Sequence, residues 1–289
     1  MRAAAMWRWI DPEVEARINA LDLPFNRYGL DPYGVSRDAL IRFHSGLSWF
    51  YRRYFRVQCV GLDHVPASGR GMLIGNHSGG LPIDAGMVLS SMVLDHDPPR
   101  HVHGMVEYFA QKWPFVSTIF NRIGQFTGLP QHATRLLSEG RLLMVFPEGA
   151  RGTGKLFKDR YQLVRFGTGF MRLALQAQAP IIPFAFIGGE EAIPTMFHLQ
   201  RLAKLVGAPY IPVPPQILPV PLPVNCELLY GEPMHFSGHG DESDEVIDGY
   251  VAQVRAQVEA LIAQGLAARS QPFRFSRPDR RQLPKEGRA

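Results

Sequence analysis

Cysteine is nearly missing: Cys59 and Cys226 are the two thiols in 289 residues, far apart and without paired spacing. This excludes a disulfide framework and a cysteine zinc site, and suits a reducing compartment. No run of about 18 apolar residues occurs, so no segment reads as a bilayer-spanning helix. The opening stretch MRAAAMWRWIDPEVEARINAL meets Asp11 early and lacks a sustained apolar region, which argues against a secretory signal. Internal repeats are absent. So is charge of one sign in the body of the chain: the net +5 equals the balance of residues 269–289, where seven Arg or Lys stand against two acids. A near-neutral body gives no reason to expect nucleic acid. The basic tail, with Phe273 and Phe275, suits anionic lipid or nucleic acid, or plain solvation, and alone decides nothing.

What the chain does have is apolar residues, 46% of the whole, enough for one large domain with its own core. Apolar positions recur at helical spacing from Val35 to Arg56, with Leu40, Phe43, Leu47, Phe50 or Tyr51, and Tyr54 on one face and arginines around it. That pattern predicts an amphipathic helix, packed on a core or laid on a membrane. A shorter helix is expected in DPEVEARINAL. From Arg56 the pattern changes to short apolar runs, RVQCVG, GMLIGN, HVHGMV, RLLMVF and PIIPFAFIG, which read as strands. Helices are expected between them at Ile83 to Leu94, Pro114 to Phe126, Ala133 to Glu139 and Gly167 to Ala177. Such alternation predicts an α/β fold, a mostly parallel central sheet flanked by helices, with N-terminal amphipathic helices added. Seven prolines in residues 207–224 predict an extended loop. A late strand in CELLYGEPM and a final helix over residues 241–267 follow. The implied domains are an N-terminal helical membrane-association segment 1–56, an α/β domain 57–267 and a basic flexible tail 268–289.

Two loops carry chemistry. GNHSGGLPID follows the GMLI run and approximates the G-x-S-x-G elbow without its first glycine. It allows Ser78 as a nucleophile, or His77 as a base whose imidazole Asp84 orients from the start of the next helix. Taken alone, the loop also fits an ordinary turn histidine and a first-turn aspartate favoured by the helix dipole. FPEGARGTGK follows RLLMVF and has the outline of a phosphate-binding P-loop, but Leu156 replaces the hydroxyl residue that would hold magnesium. No helix is expected to begin at once after it. What remains is an anion site built on side chains, chiefly Arg151, unless Arg151 simply pairs with Glu148. Lys155 reads as a second phosphate contact or as a solvated charge.

GNHSGGLPID and FPEGARG, in this order and about seventy residues apart, resemble the glycerolipid acyltransferase family that includes 1-acylglycerol-3-phosphate acyltransferases. The resemblance runs from about Val57 to Pro194. Phe120-Asn121-Arg122 looks like the family's acceptor-binding motif, and APIIPFAFIG resembles its fourth. One departure is the six residues between His77 and Asp84, two more than the family usually has, which marks a divergent branch. The resemblance implies transfer of an acyl chain from acyl-CoA or acyl carrier protein to the free hydroxyl of a lysophospholipid, with 1-acylglycerol-3-phosphate giving phosphatidic acid as the leading case. It implies catalysis by His77 and Asp84, acceptor binding by Arg122, Glu148, Gly149, Arg151 and Lys155, and neither a metal nor a cofactor beyond the co-substrate. It also implies a peripheral or monotopic position on the cytoplasmic face of a membrane, with the lipid surface as partner. A neutral glyceride or another lysolipid is the alternative acceptor. A serine hydrolase built on Ser78 is the alternative of a different class.

Overall fold

A computed structural model describes residues 9–79, 82–106, 116–127, 130–199, 211–213, 215 and 220–269. Helices α1 (Pro12–Asn19) and α2 (Arg37–Trp49) come first, and α2 runs on into a π-helical turn, Phe50–Tyr54. Strands β1 (Gln58–Val60) and β2 (Gly71–Gly75) lead to helix α3 (Ile83–Leu94) and strand β3 (Val102–Val106). Then come α4 (Val116–Arg122), β4 (Gln125–Thr127), α5 (Pro130–Ser138), β5 (Leu142–Val145) and the four-residue α6 (Ala150–Thr153). The chain continues through α7 (Gly169–Ala177), β6 (Ile181–Ile187), α8 (Gly189–Ala192), a small hairpin of β7 (Phe197–His198) and β8 (Pro212–Val213), β9 (Glu227–Tyr230) and α9 (Asp244–Ala268). The main sheet has the order β1-β9-β6-β2-β5-β3-β4. Every pairing in it is parallel except β6 with β9.

The sheet is covered on both faces, as a parallel sheet must be. Strand β6 shows how its sequence achieves this. Ile182, Phe184 and Phe186 join the core made with α1, α2 and α3, while Ile181, Ala185 and Ile187 join the opposite core made with α7 and α9. Alternation therefore sorts one continuous apolar run between two layers. Each fully buried Phe or Ile contributes about 1.5–3 kcal/mol by leaving water.

Two expectations need correction. Residues 114–126 do not form one helix: α4 ends at Arg122, Gly124 turns with φ 75°, and Gln125–Thr127 is an edge strand. The N-terminal helices are not an appendage, because Val14, Ile18 and Leu40 are fully buried and share a core with α3. Most of the aromatic face of α2 packs on the core, one of the two placements its pattern allows, and Tyr51 is buried and donates to Asp95 at 2.6 Å. Trp49 and Phe50 remain exposed. Of the tail, Ala268 and Arg269 are described, and half of the proline-rich stretch lies outside the described residues. Among the described residues no helix is long and apolar enough to cross a membrane.

Candidate active site

The two loops meet because their strands are neighbours: β2 pairs with β5, so GNHSGG and FPEGARG leave adjacent strand ends at one edge of the sheet. Asn76 pins the first loop. Its side chain donates to Phe186 O at 3.0 Å and accepts from Phe186 N at 2.8 Å, which continues the β2–β6 ladder past the last strand residue. His77 Nδ1 then lies 2.7 Å from Asp84 Oδ2. The same oxygen accepts Ser78 N–H at 2.7 Å, and Oδ1 accepts Ala85 N–H at 2.7 Å. Asp84 is fully buried in the first turn of α3, so three N–H groups and the helix dipole answer its charge. Gly79, two residues after His77, takes a φ of 72° that suits glycine.

The imidazole is held on its face as well as its edge. It stacks on Phe146 with centroids 4.1 Å apart and planes 13° from parallel, and Phe146 in turn packs edge-on against Phe184. Its backbone is held too: Glu148 Oε1 accepts His77 N–H at 2.9 Å, and Glu148 Oε2 accepts Val164 N–H at 2.9 Å. The second loop approaches closely because residue 152 is glycine, where a Cβ would come 2.7 Å from Glu148 Cβ and 2.9 Å from His77 Cβ. Gly149, at φ 57° and ψ −153°, makes the turn into α6. A four-residue helix therefore begins directly after the glycine, within FPEGARGTGK rather than after it.

With Nδ1–H donating to Asp84, His77 Nε2 carries the lone pair and can take a proton from a hydroxyl. Ser78 lacks the partner a nucleophile needs. Its Oγ is fully buried beneath Gly189 and makes no hydrogen bond among the described residues. The P-loop reading fails on Lys155, whose side chain is 4% exposed and lies between Glu148 and Glu190 rather than facing solvent or a phosphate. Burial pushes the Glu190 carboxyl up to about 7, against the opposing pull of Lys155.

The expected acceptor cations part company. Arg151 is exposed, next to the glycine that touches His77, and its Nη2 donates to Arg165 O at 3.2 Å. It pairs with no carboxylate of Glu148, which Lys155 occupies instead. Arg122 lies elsewhere. It ends α4 just before β4, its carbonyl accepts Ser36 N–H at 2.8 Å, and Gly124 beyond it packs on His101 and His103 at the start of β3. That is the starting edge of the parallel strands, whereas His77 follows the far end of β2. Strand rise separates the two edges by roughly 13 Å and three strand spacings add about 14 Å sideways, beyond the reach of an arginine side chain. Asn76, Phe146 and Glu190 were not singled out from sequence. The first two lie within the recognised motifs, but nothing in GGEEA marks Glu190.

A model of the family described as Acyltransferase matches residues 56–187. An uncharacterized protein of Mycobacterium leprae is 34% identical over 264 residues, covering 87% of this chain and 70% of its own length. An uncharacterized Mycobacterium tuberculosis protein matches at the same identity, with 72% of its length covered. A Gallus gallus protein described as a DGAT1/2-independent enzyme synthesizing storage lipids is 24% identical over 80% of this chain and 65% of itself. Among solved structures, the crystal structure of the 1-acyl-sn-glycerophosphate acyltransferase of Thermotoga maritima superimposes with a TM-score of 0.54 and 18% identity, covering 80% of this chain and 79% of that one.

Proposed function

The chain belongs to the acyltransferase family, and from that premise we propose that it moves a fatty acyl group from a thioester to a free hydroxyl of a glycerolipid, with His77 as general base. The observation that carries this reading is the 2.7 Å contact of His77 Nδ1 with buried Asp84, on a ring already clamped by Phe146. The acceptor oxygen attacks the thioester carbonyl as Nε2 takes its proton. The tetrahedral adduct then collapses with loss of the C–S bond, and the thiolate leaves with a proton from the imidazolium. Asp84 stays ionised throughout and stabilises the imidazolium. No enzyme nucleophile is required, in keeping with the sealed position of Ser78. Acyl-CoA or acyl carrier protein supplies the thioester.

The first reading of the acceptor is a lysophospholipid, 1-acylglycerol-3-phosphate above all, whose phosphate would meet Arg151 beside the dyad. A specific observation favours a second, a neutral glyceride: Lys155 is enclosed and Arg122 is remote, so of the expected cations one guanidinium is left for a phosphate. The likeness to the chicken storage-lipid enzyme supports the same reading. Either lipid suits a protein that sits on a membrane face without spanning it, with Trp49 and Phe50 exposed beside Arg53 as the contact. Purified protein with labelled acyl-CoA and a panel of lysophosphatidate, other lysolipids, monoacylglycerol and diacylglycerol tests the choice. Product from lysophosphatidate that falls about tenfold or more in Arg151→Gln through a raised KM supports the phosphate reading. Product from glycerides, indifferent to that substitution, supports the neutral one. No product from any glycerolipid would refute both.

A further inference from the structure

An ammonium and two carboxylates are enclosed beneath the His77 loop. Lys155 Nζ lies 3.4 Å from Glu148 Oε2 and 3.5 Å from Glu190 Oε1, and all three side chains are nearly without solvent. Among the described residues the ammonium makes no hydrogen bond and is held by charge. Burying such a group is costly, and an apolar side chain of similar volume often packs as well or better. The cluster therefore calls for an explanation other than stability, and what it touches supplies one. Glu148 gives Oε1 to His77 N–H and Oε2 to Val164 N–H, so its carboxylate joins the base to the strand of chain before α7. Glu190, from α8, also accepts Tyr161 N–H at 3.3 Å. Remove the ammonium and two buried carboxylates that shared it face one another with nothing between them, which displaces the acceptor of the His77 N–H.

We infer that Lys155 is a positioning residue for acyl transfer: by fixing the Glu148 carboxylate it fixes the backbone of His77, and through it the ring, without touching the acceptor. The inference rests on the reading of His77 as the base. It gives the lysine of GTGK a task unrelated to phosphate.

The test uses the full chain, labelled with nitrogen-15, and follows amide hydrogen exchange at His77 and at Leu73 in β2 beside steady-state kinetics with acyl-CoA. In Lys155→Met, exchange at His77 is expected to quicken about tenfold or more while Leu73 is unchanged, because a local tether has been lost rather than global stability. The same variant is expected to lose about tenfold or more in kcat with acceptor KM within roughly twofold of wild type. Lys155→Arg, which keeps the charge, should recover most of both. Unchanged exchange and kcat in Lys155→Met overturn the inference. So does a raised acceptor KM at unchanged kcat, which would make the lysine an acceptor contact. Should Lys155→Met not fold, Lys155→Gln, which removes the charge but leaves both carboxylates in place beside a polar side chain, is read by the same criteria. His77→Ala, assayed alongside, separates the two claims. Full activity there, with the exchange result as expected, would sink the base and leave the tether standing.

Discussion

His77 is restrained at three independent points: Asp84 at its ring nitrogen, Phe146 on its face and Glu148 at its backbone N–H. Each restraint makes a separable demand on sequence. Asp84→Asn keeps the shape but offers the ring an amide in place of a charge, so the imidazolium loses its counter-ion. Transfer is expected to fall about 10²- to 10⁴-fold in kcat, with the folded state intact by circular dichroism. Gly152→Ala acts through sterics, since its Cβ must displace Glu148 or His77. A drop in kcat and a loss of about 1–3 kcal/mol in urea unfolding are expected; wild-type values for both would show that the loops have more room than the contact distances allow. At this scale the pairing of His77 with Asp84 was legible only with the second loop beside it, since the first loop alone also fits an ordinary turn histidine. Lys155 was not, because a lysine after a glycine-rich turn reads the same whether it faces a phosphate or two buried glutamates. Arg122 misled for a related reason: the local string NR carries no information about which strand edge it reaches.

Among the elements, those with full periods were the most legible. Helix α3 occupies Ile83–Leu94 as expected, and β6 lies within PIIPFAFIG. The failure came at residues 114–126, where apolar spacing continues through Gly124 but the backbone does not, and an edge strand of three residues is too short to show a period of two. Strand β3 and helix α2 carry a further consequence. His44, His101 and His103 are buried, and burial holds His44 and His103 down at about 3, with His101 also well below its usual range. Since the unfolded chain binds these protons near pH 6.5, the stability they confer is complete above that pH and drains as pH falls toward about 3. Urea unfolding at pH 7, 5 and 4 is expected to show a loss on the order of a few kcal/mol, and His103→Gln should make that loss smaller. An identical pH dependence in the variant would remove His103 from the account.

Across the whole molecule, topology does what no motif could: it brings the ends of β2 and β5 together and sends the segment before β4 to the other edge. It also draws α1 and α2 into the main core, so the exposed Trp49 and Phe50 ride on a rigid base, with Arg52 tied to Glu13 at 2.6 and 2.8 Å. Membrane contact through this corner leads us to expect that Trp49→Ser with Phe50→Ser weakens binding to anionic vesicles about tenfold or more while the melting temperature stays put. Undiminished vesicle binding would move the contact elsewhere on the surface. The central claim, acyl transfer by the His77–Asp84 pair, is tested most directly by the mass of labelled product formed from acyl-CoA and the glycerolipid panel by wild type, His77→Ala and Ser78→Ala. The expected result is acylated glycerolipid from wild type, none from His77→Ala and substantial product from Ser78→Ala. Product from His77→Ala at the wild-type rate, or hydrolysis that vanishes with Ser78, would contradict it.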